Sequence, residues 1–296
     1  MDLRQKIIRI SIFTVGIGFI LGVAVFSFAY FTVGIPDQNK FVGSQSTIIQ
    51  YSDGQEIGRL GSENRKILTL AAIPLNLRHA VLAAEDRKFY SESAISPTGI
   101  LRAVINDIRG GSLQGGSTIT QQYAKTAFLT QDRTITRKVK EIVIAIKLGN
   151  QLSKDQILES YLNTIWFGRG AYGVETAAEV YFGRSVDQLT ISQAAVLASI
   201  LRSPGYYDPA YGENNMKRLQ GRWKYVLDGM VAEHWITKTQ AARAVFPEIK
   251  PKVKSGDLAG PKGYVMSWAV HELQKFGFTE EQLQTGGYVI KTTLLK

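Results

Sequence analysis

The stretch Val81-Leu82-Ala83-Ala84-Glu85-Asp86-Arg87-Lys88-Phe89-Tyr90 decides how the chain is read. Val81, Glu85 and Phe89 recur at i, i+4 and i+8, which lines them up on one stripe of a helix. Pro74, just upstream, suits a first helical turn, where its missing N–H costs little. A carboxylate on such a stripe should face the apolar side of its helix. Burial raises a carboxylate pKa, and a raised pKa makes a better general base near neutral pH. The alternative is a carboxylate pinned by Arg87, Lys88 or another cation.

Downstream, helical patterns continue over 97–109, 118–128, 133–148, 154–164, 172–180, 190–201, 214–233 and 237–245, with Gly-rich breaks such as Gly115-Gly116 and Gly168 to Gly173. Upstream, two β-prone runs, Thr47 to Tyr51 and Glu56 to Leu60, flank Asp53-Gly54 and predict a β-hairpin. A basic stretch from Pro247 to Lys254 marks a boundary, followed by a helix near 263–275 and a strand over Gly287 to Leu294. The expected division is a mainly α-helical domain over 47–246 with a small hairpin at its start. The tail over 247–296 is too small for a core of its own.

From Ile10 to Pro36 no charged residue occurs, while Arg4, Lys6 and Arg9 lie just before. About 20 apolar residues suffice to span a bilayer, and cations on the near side favour a cytoplasmic N-terminus. The expectation is a cytoplasmic segment over 1–9, a transmembrane helix over 10–36 and a linker over 37–46. A cleaved signal peptide is the alternative, for which Ser27-Phe28-Ala29 is a poor cleavage site.

Composition narrows the chemistry. The 296 residues include no cysteine, which excludes a thiol nucleophile and any Cys-ligated metal. The three histidines (His79, His234, His271) are far apart and lack metal-ligand spacing, so acid–base work falls to carboxylates. The net charge of +10 raises nucleic acid as a partner, but no binding motif supports it. On a membrane-tethered domain that charge fits anionic head groups or a lipid diphosphate.

Two further stretches carry candidates. Gly115-Gly116-Ser117-Thr118-Ile119-Thr120-Gln121-Gln122 runs from a Gly-rich loop into a helix, offering hydroxyls and a helix N-terminus to an anion. Equally, Ser117 or Thr118 could serve only as a cap. Glu141 follows Arg137 by four residues, with Lys138 and Lys140 close by. Cations beside a carboxylate suit a diphosphate site, because Arg and Lys form charge-assisted bonds to phosphate oxygens. A solvated ion pair is the plainer alternative.

Taken together, these stretches resemble the peptidoglycan glycosyltransferase domain of class A penicillin-binding proteins and of monofunctional cell-wall transglycosylases. Glu85 to Tyr90, Gly115 to Gln122 with Lys125, and Arg137 to Glu141 look like that family's first three motifs. Ile157 to Asn163 with Phe167-Gly168 looks like the fourth, and Ala194 to Ala198 with Ser203-Pro204 and Tyr207-Asp208-Pro209 like the fifth. The resemblance implies a lysozyme-like helical fold. It also implies inverting polymerisation of lipid II into β-1,4-linked glycan, with release of undecaprenyl diphosphate. Glu85 then matches the general base and Glu141 the residue that assists the leaving diphosphate. Lys125, Arg137 and Lys138 match the cations that neutralise it. Asp86, Phe89, Ser117, Thr118 and Gln122 match residues lining the cleft. The resemblance also admits Mg2+ or Mn2+ as a helper, although no metal-ligand spacing is visible. Implied partners are lipid II, the growing glycan, the membrane and other cell-wall synthesis proteins, at the outer face of a bacterial cytoplasmic membrane.

Glu92, Ala94 and Ser96 occupy places where that family usually carries His, Gly and Asp, and Thr126 replaces a common Asn. These departures keep two other readings open: a lysozyme-like enzyme that cuts glycan, and a weakened cell-wall scaffold. Gly286 to Leu294 resembles the segment leading into a transpeptidase domain, but no ordered SxxK, SxN and KTG set accompanies it.

Overall fold

A computed structural model of the chain describes residues 3–35, 47–60, 67–94, 117–129, 134–252, 260–279, 282–283 and 287–295. The expected helix over 97–109, the linker over 37–46, the Gly115-Gly116 pair and Ser96 lie outside the described residues. The rest is mainly helical with one small sheet.

The N-terminal apolar run forms α1 (Leu3–Thr32). Ile12, Phe13, Ile20, Phe28 and Phe31 on it are exposed. Among the described residues no helix is long and apolar enough to cross a membrane, and several α1 side chains lie outside that description. The helical body follows as α2 (Leu75–Glu85), α3 (Ile119–Phe128), α4 (Ile135–Gln151), α5 (Lys154–Thr164), α6 (Val174–Phe182), α7 (Ile191–Leu201), α8 (Glu213–Ala232) and α9 (Lys238–Arg243). Four of these helices start in capping boxes: Thr118 with Gln121, Ser153 with Gln156, Thr190 with Gln193, and Thr237 with Gln240. Each box satisfies two otherwise orphaned N–H groups and fixes where its helix begins.

Helix α7 is buried from Ser192 to Leu201 and forms the axle of the core. Helix α2 packs on α7 and α8, while α3 packs on α4 and α5. Gly173, at the entry to α6, has φ +76°, and a Cβ there would come within 2.7 Å of the Asn163 carbonyl oxygen. Two acidic residues brace the body from inside. Arg169 donates to both carboxylate oxygens of Asp208, at 2.8 and 2.6 Å, with each side chain only 2% exposed. Glu159 and Asn163 on α5 hold the backbone of Leu68 and Leu70.

The hairpin forms as β1 (Thr47–Gln50) and β2 (Glu56–Leu60), paired antiparallel. Only Gly54 takes a positive φ (+88°) in its turn; Asp53 instead accepts a hydrogen bond from the Gln55 N–H. Sequence periodicity did not reveal where the hairpin docks. The tail supplies β3 (Val289–Lys291), which pairs parallel to β1, with Ile49 opposite Ile290. It also supplies α10 (Gly260–Lys275), whose Met266 and Ala269 cover Ile49 and Ile57. The hairpin and tail thus share a small core separate from the helical one.

Candidate active site

Helix α2 ends at Glu85 because Asp86 leaves helical geometry, at φ −161°. The Asp86 carboxylate then accepts a hydrogen bond from the Ile119 N–H at the start of α3 (3.1 Å). An anion at a helix N-terminus satisfies a donor that has no intrahelical partner. Asp86 thereby ties the end of α2 to the start of α3. Burial pushes its pKa up, and the Ile119 N–H and Lys154 oppose that rise.

Glu85 lies at this junction with 9% of its side chain exposed. One carboxylate oxygen accepts from Arg222 on α8 (2.8 Å) and the other from Gln122 on α3 (2.9 Å). The Gln122 carbonyl in turn accepts from the hydroxyl of Tyr161 on α5 (2.9 Å), a fully buried ring. Four helices therefore converge on one carboxylate. Burial raises the Glu85 pKa, while Arg222, Gln122 and, at longer range, Arg202 pull it back. The group is both dry and held in place, the condition that suits a general base. Burial and the carboxylate of Glu85 also push the Tyr161 hydroxyl well above its usual range, so that it acts as a neutral donor.

The second cluster sits on α4. Glu141 is 2% exposed, accepts from Arg137 at 2.8 Å and is also bonded by Lys138. It is a buried, doubly braced carboxylate rather than a solvated surface pair. Lys138 further reaches the Ser117 hydroxyl at 3.3 Å, just ahead of α3. Both acids are thus linked to the N-terminal part of α3, Glu85 through Gln122 and Glu141 through Lys138 and Ser117. The buried Arg137 Nε has no hydrogen-bond partner among the described residues. Lys125, half-buried on α3, likewise shows no partner among them.

Other expected lining residues serve the scaffold. Phe89 is 1% exposed in the main core, with Lys154 Nζ 4.5 Å from its ring centroid, so its ring packs and does not line a cleft. The Thr118 hydroxyl caps α3 by accepting from the Gln121 N–H, and donates to the Ala94 carbonyl. The cap reading of that threonine is the one the geometry supports. Glu92 offers its carbonyl to Lys154 (2.7 Å) and its carboxylate to Lys88 (3.6 Å). Arg222 and Tyr161, absent from the expected site, join the bonded network around Glu85. Arg222 shares a helical stripe with buried Leu219, Val226 and Met230, and a cation on an apolar stripe is the signal that marks it. Among the described residues no three His, Asp or Glu side chains converge as a metal site.

Comparison with known proteins bears on this arrangement. A family described as Transglycosylase matches residues 53–231, which include every residue above from Glu85 to Arg222. Penicillin-binding protein 1A of Mycobacterium tuberculosis is 40% identical over 99% of this chain and 37% of its own length. Penicillin-binding protein 1F of Bacillus subtilis is 38% identical, over 87% of this chain and 36% of its own. A solved structure of penicillin-binding protein 1A from Haemophilus influenzae aligns with 85% of this chain and 27% of that one, at 25% identity and a TM-score of 0.41. The chain spans little more than a third of the length of the curated relatives it matches.

Proposed function

The chain belongs to the transglycosylase family, and from that premise we propose that it is a peptidoglycan glycosyltransferase that polymerises lipid II. The observation that carries the reading is the pairing of two buried acids around the start of α3. Glu85 is held by Arg222 and Gln122, and Glu141 is braced by Arg137 and Lys138.

In this reading Glu85 accepts the proton of the acceptor sugar's 4-hydroxyl as that oxygen bonds to the donor's anomeric carbon. The carbon–oxygen bond to the diphosphate breaks, and its electron pair leaves with undecaprenyl diphosphate. Attack from the face opposite the leaving group converts the α linkage to β-1,4. Charge that grows on the diphosphate meets Arg137, Lys138 and Lys125. The Arg137 Nε, which has no hydrogen-bond partner among the described residues, supports that assignment as a buried donor for a phosphate oxygen. Diphosphate is already a good leaving group, so positioning and charge neutralisation supply much of the acceleration.

The proposal includes the lysozyme-like fold and a single-pass anchor, with the N-terminus inside and the catalytic body outside. The run from Ile10 to Pro36 carries no charge, and the exposed apolar side chains of α1 suit lipid contact.

Purified protein supplied with lipid II tests the reading. Polymer formed together with undecaprenyl diphosphate supports it. Clearing of purified cell walls without polymer would favour a glycan-cleaving enzyme instead, and no turnover of either would favour the scaffold.

A further inference from the structure

The last turn of α1 contains no basic residue of its own, although a helix C-terminus leaves carbonyls unsatisfied and favours a cation. That cation comes from another helix. Lys147 on α4 donates to the Val33 carbonyl at 2.6 Å, with its ammonium 5.1 Å from the centroid of the Tyr30 ring. Val33 still donates back to the Ala29 carbonyl, so the helical bonding reaches the point of contact. Val33 and Ile35 then pack on the main core. Helix α1 is fastened where it leaves its apolar run.

The same helix, α4, carries the cluster assigned to the diphosphate. Glu141 and Arg137 precede Lys147 by about 9 and 15 Å of axial rise, at roughly 1.5 Å per residue. We propose that Lys147 is a positioning residue. By clamping the end of α1 to α4, it fixes the height at which Arg137, Lys138 and Glu141 meet a membrane-embedded diphosphate. The inference rests on the proposed anchor and diphosphate assignments. A loose tether would let the cluster sample many heights above the head groups. A clamped one keeps it within about three helix turns of the anchor's exit.

The test uses the full chain in phospholipid vesicles, with Lys147→Met and Lys147→Arg beside wild type. Methionine keeps a stem of similar length and removes the ammonium, and with it the bond to the Val33 carbonyl and the cation beside Tyr30. Two donors are compared: a long-chain lipid-linked diphosphate in the vesicles and a short-chain, water-soluble analogue without membrane. Lys147→Met should lower kcat/KM on the vesicle donor by about tenfold through KM and leave the soluble donor within about twofold, with Lys147→Arg restoring the rate on the vesicle donor. Equal rates on the vesicle donor, or equal losses on both donors, would overturn the clamp.

A second readout does not need activity. The chain has no cysteine, so Lys140→Cys, exposed on α4, takes a unique fluorophore whose quenching by lipid-attached quenchers reports height. Lys147→Met should shift or broaden that height, and an unchanged height would overturn the clamp. Failure of wild type to polymerise either donor would sink the functional reading alone, and the height measurement would still decide the clamp.

Discussion

Arg222 donates from Nη2 to Oε1 of Glu85 at 2.8 Å, joining two side chains 137 residues apart that are each 9% exposed. The acid alone would be driven toward its neutral form by burial; the guanidinium beside it keeps the ionised form accessible. Acid and cation lie on apolar stripes of two different helices, and each satisfies the other's charge where both are buried.

Arg222→Gln should therefore raise the Glu85 pKa further. A general base works only when deprotonated, so the acidic limb of the kcat/KM profile should move to higher pH and the rate near neutrality should fall. A pH–rate series for both proteins checks this. An unmoved acidic limb would show that Arg222 does not tune the base.

Gln122→Ala should remove the second hold on Glu85 and leave the buried Tyr161 hydroxyl without its acceptor. An unsatisfied buried hydroxyl costs about 1–3 kcal/mol. Both melting temperature and turnover should fall. Tyr161→Phe on top of Gln122→Ala should then recover stability but not turnover. Recovery of both would make the chain of bonds purely structural.

Glu141→Gln should cut turnover by at least about tenfold while cooperative melting persists, since the amide carbonyl still accepts from Arg137 and Lys138 lies partly in solvent. Loss of cooperative unfolding would assign Glu141 to the scaffold.

Asp208→Ala breaks a different pair and makes the contrast. It strands Arg169 in a site 2% exposed, and removing one partner of a buried pair typically costs about 3–5 kcal/mol. Chemical denaturation should register that loss, with the pH–rate profile of the remaining folded protein unchanged. A shifted profile would place Asp208 among the groups that act on Glu85.

Much of this was legible in the sequence, and the misses have physical causes. Helix periodicity placed the described helical segments, and Asp53-Gly54 marked the hairpin turn. The stripe through Val81, Glu85 and Phe89 places Glu85 on the buried side of its helix, as the structure shows, but the helix ends at Glu85, short of Phe89. Asp86 stops α2, so Phe89 enters the core from a turn, as a packing residue. The rule that singled out Glu85, a charge on an apolar stripe, applies equally to Arg222 between Leu219 and Val226. Pairing of β3 with β1 left no local trace, because parallel strands at opposite ends of a chain share no turn. Thr118 was legible as both cap and ligand, and only the bonds to Gln121 and Ala94 separate the two.

The account turns on Glu85 as the base. Its most direct test is the rate of lipid II polymerisation by Glu85→Gln and wild type, in the same vesicles and with matched melting curves. Glutamine keeps the side chain's size and one carbonyl acceptor for Arg222 but cannot take up the proton, so the rate should fall by at least about a hundredfold. A variant that polymerises as fast as wild type would contradict the account.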